Sequence, residues 1–587
     1  MIPITQYQRT AHLVDQSGAA ARLDELLYPN AQGRRGLPTR TFLIGGLLTI
    51  QLERSMRYRD IYHVLTRRLP PEAMLDLGVA EMLVDDSGQR IARTTLSEHR
   101  VYAYSRRLRD MVGGQGPITD EVRALLLDVV HRIIDAGLPS RPAGSTGYAL
   151  DESGMWAYSR GLFPGTLEDE PVDPDDQVPG LEELLDEEVE TPTDNDAGQP
   201  EAATFTSPSS RPSSVDPDAA AGGKTAKNGK KETYFGYGLQ GLIRAPALGL
   251  DGESEPLLIE RLDLTPASTD IVAPSLAMID ALLSKPNGRI EELLVDRHYS
   301  YKKVDRWYTE LVARGIRQVL DLHPNDHGFR PVDGMRVAAG WPHCPATPDH
   351  LGTIVRPSPP GSKPPKSAGT PGATAAERQA AEEETAERRA AHLRRRETFD
   401  QRISERSAYA MERRSGIGGD KIRYGCPALN GTAGCALRPG TMEAAEQLCL
   451  PTVDNPPDLA TAPASCTQDT VTVKLDPEHG MNPKLVQQHY WGSEDWEGSF
   501  KRRTYVEGFF GTLKDAATEN ISREGSRGDR LGLRLLYVGL GIACTNLRLL
   551  RKWHATQGGD LDVDPILLAP DVYPTEFPLG DDGQQAA

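Results

Sequence analysis

Three acids carry the chemistry that this chain can do. Asp151 (in YALDESGMW) and Asp296 (in LLVDRHYS) each follow directly on a short apolar run that reads as a buried strand. Strand ends in open α/β sheets gather ligands and reacting groups, because the sheet leaves a crevice there. Two carboxylates on neighbouring strands repel unless a cation lies between them. Oxygen-only donors suit Mg²⁺ or Mn²⁺ rather than zinc. The third acid, Glu507, lies in FKRRTYVEGFFGTLK (500–514). At the helical period Phe500, Arg503, Glu507 and Lys514 fall within about 60° of one another, while Val506, Phe509, Phe510 and Leu513 supply packing. Singly, each acid has an ordinary explanation as a helix cap, a turn or a surface ion pair. An aromatic residue on the charged face is what those explanations leave out.

The elements that must position these acids alternate in type. GYAL (147–150) is apolar and stops at Asp151, and ETYFGYGLQGLI (232–243) is aromatic and β-prone, with glycines that allow close approach. Residues 267–283 have the apolar spacing of a helix, and LLV (293–295) is a second buried strand, ending at Asp296. Val304, Trp307, Tyr308, Leu311 and Val312 then share a helix face, and QVLDL (318–322) returns as a strand. This β, β, α, β, α, β order predicts a mixed α/β sheet.

Residues 1–110 read as helical, with Ile61, Val64, Leu65 and Leu69 on one stripe. Arg54, Arg57, Arg59, Arg67 and Arg68 surround that stripe; a second helix at 96–108 carries Arg100, Arg106 and Arg107, with Arg109 just beyond. Such helices suit DNA phosphates, and equally a solvated face. Between 165 and 218 stand 17 acidic side chains and one basic, in a Pro, Ser and Ala-rich context. That composition cannot offset its chain entropy by burial and predicts a disordered acidic insertion over 165–229. A Pro-rich linker (356–372) leads into an Ala, Glu and Arg-rich stretch, 375–414, that predicts a long charged helix.

The net charge of −18 comes almost wholly from the acidic stretch, which leaves −2 for everything else, so acidity excludes nothing about DNA. The best uncharged apolar run, 535–547, falls short of the ~18 residues that span a bilayer. The N-terminus has neither the basic nor the apolar part of a signal peptide, and six cysteines in 587 residues are too few for a disulfide scaffold. A soluble, reduced, cytoplasmic protein with no membrane partner is expected. Five cysteines, Cys344, Cys426, Cys435, Cys449 and Cys466, fall in 324–499 without any Cys-x2-Cys pair. Their polar, loop-like contexts admit either free thiols or a zinc site built from three or four of them. Cys426, Cys435, Cys449 and Cys466 are the first choice for that site, with His343 as a further ligand.

In order and setting, the three acids resemble those of the DDE transposases of bacterial insertion sequences. That family's third acid lies in a Tyr-x2-Arg-x3-Glu-x6-Lys signature; Arg503, Glu507 and Lys514 match the spacing, and Phe500 stands in place of Tyr. Arg-Gly-Tyr usually follows the second acid, and here Arg297, His298 and Tyr299 follow Asp296. Asp151 matches the first acid, and the apolar segment 531–553 resembles the family's closing helix. The resemblance covers an interrupted core from about 147 to 515.

The resemblance implies an α/β fold, an RNase H-like mixed sheet split by two long insertions, with a helical N-terminal domain (1–135) that binds DNA ends. The core would comprise 136–164, 230–323 and 500–557, the insertions 165–229 and 324–499, and the tail 558–587. Asp151, Asp296 and Glu507 would be the catalytic residues and hold two Mg²⁺ ions, which Mn²⁺ could replace, about 3.5–4 Å apart on one scissile phosphate. One ion would activate the attacking water or DNA 3′-OH, and the other would stabilise the leaving oxygen. Arg503 and Lys514 would grip phosphates, Phe500 would stack on a base, and Arg297 and His298 would line the groove. Trp341, Trp491 and Trp496 are candidates to stack on an extruded base. The implied partner is double-stranded DNA, both element ends and target, held by a homodimer or higher oligomer near the bacterial nucleoid. The same triad would also serve a nuclease that cuts without joining, and a catalytically silent DNA-binding descendant is the reading from another class.

Overall fold

The computed structural model describes residues 1–29, 36–84, 90–112, 117–139, 146–158, 216–225, 231–248, 255–357, 374–416, 419–453 and 455–558, except positions 516, 523, 524, 526, 527 and 529. The N-terminal part comprises α1 (Ile4–Ser17), α2 (Ala19–Leu27), α3 (Thr39–Gln51), α4 (Tyr58–His63), α5 (Pro71–Asp76), a hairpin of β1 (Ala80–Val84) and β2 (Arg90–Thr94), α6 (Glu98–Met111) and α7 (Asp120–Ala136). The hairpin corrects the expectation of helix throughout 1–110. Its strands carry no 3.6-residue apolar stripe, and they pair from Ala80–Thr94 to Val84–Arg90.

The sheet follows: β3 (Gly147–Trp156), β4 (Ala220–Thr225), β5 (Lys231–Ala245), β6 (Ile259–Pro266), α8 (Val272–Leu283), β7 (Glu292–Val295), α9 (Tyr308–Ala313) and β8 (Arg317–Val319). The order is β4-β5-β3-β7-β8, with β6 sharing the outer edge of β5 with β4. β5 is antiparallel to both β3 and β6, whereas β3, β7 and β8 run parallel. The result is a mixed α/β sheet, as expected.

Two strands depart from the expected order. β6 contains Glu260, Arg261 and Asp263, all buried, which masks its strand pattern. Partners distant in sequence neutralise them: Arg244 on Glu260 at 2.6 Å, Asp135 on Arg261 at 2.7 Å, and Arg123 on Asp263. β4 lies inside the stretch expected to be disordered. Just before it, Asp216 accepts from the Tyr237 hydroxyl at 2.5 Å and the Arg530 N–H at 3.0 Å, and Asp218 accepts from the Ile118 and Leu531 N–H groups. These two acids are buried and satisfy backbone donors at the start of the last helix. The rest of the acidic run, 159–215 and 226–230, lies outside the described residues, as do 358–373 of the linker and the tail from 559.

Beyond β8 the chain forms β9 (Arg330–Val332), β10 (Met335–Ala338), β11 (Trp341–His343), α10 (Ala375–Ser407), β12 (Glu412–Arg413), β13 (Lys421–Gly425), β14 (Gly434–Cys435), α11 (Gly440–Gln447), β15 (Thr452–Val453), α12 (Ala464–Thr467) and β16 (Thr470–Lys474). These strands make three small sheets, β9-β10-β11, β12-β13-β16 and β14-β15, over apolar clusters of their own. The charged helix α10 starts at Ala375, where Thr374 and Glu377 form a capping box. It ends at Ser407 rather than at 414, because 412–413 pair with β13 as a strand.

Three further helices follow among the described residues: α13 (Glu494–Lys501), α14 (Thr504–Lys514) and α15 (Leu531–Thr556). α15 is apolar on every side and long enough to cross a membrane, but 89% of its most apolar window is buried inside the protein. It lies so close to α7 that a Cβ on Gly539 would come within 2.3 Å of Val130. One continuous apolar core joins the N-terminal helices, the sheet and α15.

Candidate active site

β3 and β7 stay matched up to the pair Leu150–Val295. Asp151 and Asp296 are therefore the next residues on two adjacent parallel strands. Asp151 does not end its strand as expected: β5 is 15 residues long and keeps pairing with β3 as far as Trp156. The antiparallel partner of Asp151 is Gly241. A Cβ there would lie 2.9 Å from Ile259 Cδ1 and 3.1 Å from Phe510 Cζ. The missing side chain is what lets α14 settle on the sheet through buried Val506, Phe509, Phe510 and Leu513.

That packing brings Glu507 to Asp151. Arg503 bridges the two, with Nη1 at 3.4 Å from Asp151 Oδ2 and Nη2 at 2.7 Å from Glu507 Oε1. Burial pushes the Asp151 carboxyl up to about 6; Arg503 and the Glu152 N–H pull it down, and the charges of Asp296 and Glu507 push it further up. All three acids thus share one electrostatic field. Lys514 donates to Ser153 Oγ at 2.6 Å and to the Gly154 carbonyl at 2.7 Å. Asp151, Glu152, Ser153, Glu507, Phe510, Gly511 and Lys514 line an open cleft of about 280 Å³.

The face expected along one helix, 500–514, is split by a break at 502–503. Arg502 causes the break by turning inward: it pairs with Glu292 and donates to the Pro246 carbonyl at 2.6 Å. Burial alone would raise the Glu292 carboxyl, but hydrogen bonds from His489 and Ser499 and the charge of Arg502 take it down to about 2. One end of β7 thus fixes the start of α14, and Asp296 follows the other.

Several expected DNA contacts are used inside the protein. Phe500 lies on α13 and stacks on Trp496 at 4.9 Å, with Arg356 and Arg503 near its ring. Trp491 and Trp496 are fully buried, and Trp341 donates to the Met411 carbonyl, so all three pack or bond within the protein. Arg297 opens a 3-10 turn; its side chain lies outside the described residues. His298 is held below its ordinary pKa by desolvation and by Lys302. Of the N-terminal arginines, Arg59 pairs with Glu98, Arg106 with Asp110 and Arg54 with Asp60, while Arg107 stacks on Tyr28.

The sequence passes over Glu152, Ser153, Gln240 and Ser275, and Tyr299 enters there only as part of the motif after Asp296, with no role of its own. Tyr299, fully buried beneath the acids, shares a hydrogen bond with Ser275, which donates to Gln240. Glu152 pairs across the ladder with Gln240. Carrying strand alternation past position 150 would have placed Ser153 on the same face as Asp151.

Among the described residues, no group of three or more His, Cys, Asp or Glu side chains is placed to hold a metal ion. The donors at this cleft are carboxylate oxygens, which fit Mg²⁺ or Mn²⁺. Of the cysteines expected to hold zinc, Cys426, Cys435 and Cys466 are buried around one cavity, which Cys344 also lines, whereas Cys449 is exposed and does not line it. His343 is spoken for, with Nε2 at 2.8 Å from the Tyr490 hydroxyl and Nδ1 at 3.3 Å from the Arg336 carbonyl. No family model, curated protein or solved structure matches this chain.

Proposed function

We propose that this protein is a DNA transposase of the DDE kind, whose RNase H-like core cleaves DNA at element ends and joins the freed ends to a target. The observation that carries this reading is the convergence of Asp151, Asp296 and Glu507, from two adjacent parallel strands and a helix packed upon them. Nothing in the packing of the sheet requires three carboxylates at one place. Their mutual repulsion on a desolvated Asp151 is relieved by a divalent cation.

Asp151, Asp296 and Glu507 would hold Mg²⁺ or Mn²⁺. When bound, the metal polarises the phosphate and acidifies the attacking hydroxyl. The remaining work falls to the chain. Arg503 has to leave Asp151 and Glu507 before both acids can serve as ligands, and its freed guanidinium suits bidentate capture of a DNA phosphate. Lys514, held on β3, adds fixed positive charge to the same cleft. Joining requires two DNA ends at once and hence at least a dimer.

The test is cleavage of a labelled duplex carrying the element's own end, with Mg²⁺, by the wild type and by Glu507→Gln. Loss of nicking with retained DNA binding supports the assignment. Binding without any cutting by the wild type would replace it with a silent DNA-binding protein. Equal cutting by both would remove Glu507 from the site.

A further inference from the structure

We infer that Cys344, Cys426, Cys435 and Cys466 form a tetrathiolate zinc site that staples the region between β8 and α14. The four thiols come from separate places in the chain: Cys344 follows β11, Cys426 follows β13, Cys435 ends β14, and Cys466 lies in α12. All four are buried, and all four line one small cavity. The void measures about 10 Å³, room for one water-sized body. A water there would find almost nothing but sulfur and hydrocarbon, whereas a zinc ion takes four thiolates in a tetrahedron.

Two features beyond the cysteines point to an ionic occupant. Arg438 lines the same cavity, and its Nε is buried without a hydrogen-bond partner. The rest of its guanidinium is anchored on the Gln468 carbonyl at 2.8 Å and on Asp469 at 3.5 Å. A zinc centre with four thiolates carries two net negative charges, and an anchored, half-buried cation whose buried Nε has a spare N–H is the group that would balance it. The neighbouring core is also thin: besides three of these cysteines, its buried members are Leu351, Tyr409, Ala428 and Val453. A core of that size needs a cross-link or a metal to hold unique geometry.

The turns aim the sulfurs. The Cys344 carbonyl accepts from the Thr347 N–H, the Cys426 carbonyl from Asn430, and the Cys435 carbonyl from Arg438, so three of the ligands open tight turns. The cage is not closed as it stands; zinc entry has to draw the sulfurs inward, and the void is the space they would take up.

This inference stands apart from the DNA chemistry, and so does its test. The full-length protein, purified under reducing conditions without a metal-affinity tag, should contain one zinc per chain by elemental analysis after dialysis. Cobalt substitution should give a thiolate-to-metal charge-transfer band. Cys344→Ser and Cys466→Ser should each lose the zinc, while Cys449→Ser and Asp151→Asn keep it. If the first two variants do not fold, wild-type stoichiometry and the cobalt spectrum decide. A folded wild type without zinc, whether its thiols are free or oxidised to disulfides, overturns the inference, as does full zinc in Cys344→Ser.

Discussion

Gly241 lies directly across the ladder from Asp151, and the side chain it lacks is the space into which Phe510 fits. Gly241→Val forces a branched side chain between Ile259 and Phe510 and lifts α14 from the sheet. Overpacking of this kind costs about 1–3 kcal/mol, readable by denaturant unfolding. Because Glu507 rides on α14, cleavage should fall at least tenfold even where the variant stays folded. Gly241→Ala should show a smaller effect of the same kind.

Arg503 occupies the place of a cation. Arg503→Ala should bind Mn²⁺ several-fold more tightly than the wild type in calorimetric titration, because the metal no longer competes with a guanidinium for Asp151 and Glu507. DNA cleavage by the same variant should nevertheless drop. Unchanged Mn²⁺ affinity would show that the bridge does not gate the acids.

In the Arg502–Glu292 pair the guanidinium is buried and the carboxylate mostly so. Removing one partner leaves an uncompensated charge, so Glu292→Gln should cost about 3 kcal/mol of stability. The Glu292 pKa falls from 4.5 to about 2 on folding. A depressed acid stabilises the fold above its unfolded pKa, and the contribution disappears as pH falls from about 4.5 towards 2. Acid unfolding of Glu292→Gln, compared with wild type, should show the difference vanish across that window.

Asp151 has the opposite sign. Its carboxyl rises from 3.8 to about 6 on folding, so the native state holds the proton more tightly and stability declines as pH rises through that interval. In metal-free buffer at pH 7.5 the charged form costs about 1–3 kcal/mol. Asp151→Asn should therefore unfold at a higher temperature than the wild type at pH 7.5 and lose that advantage near pH 4, while being inactive.

Much of the sheet was legible because its strands are short, apolar and bounded by acids or glycines: β3, β5, β7 and β8 were each found to within a few residues, apart from the far end of β3. β6 was not, since Glu260, Arg261 and Asp263 look solvent-seeking until their partners Arg244, Asp135 and Arg123 are known. The helix break at 502–503 depends on a buried contact with a strand some two hundred residues earlier, which helical periodicity cannot register. The local settings of the three acids single them out as candidates. That Arg503 lies between two of them could not, since only the packing of α14 on Gly241 brings Asp151 within its reach.

α15 has a consequence for the order of events during synthesis. Its buried face fills the trough between α3 and α7 and continues to β6, where Asn546 bonds both backbone groups of Ile259. On the ribosome, the earlier parts of the chain wait with that trough open until α15 is made. A chain truncated before 531 would uncover Val130 and the Leu47 carbonyl, both met by α15, and lack the cover for β6, a surface prone to aggregation. The acids assemble late as well, since Glu507 follows Asp151 by 356 residues and Asp296 by 211. Any chemistry the trio performs is withheld from a nascent chain until α14 has been made.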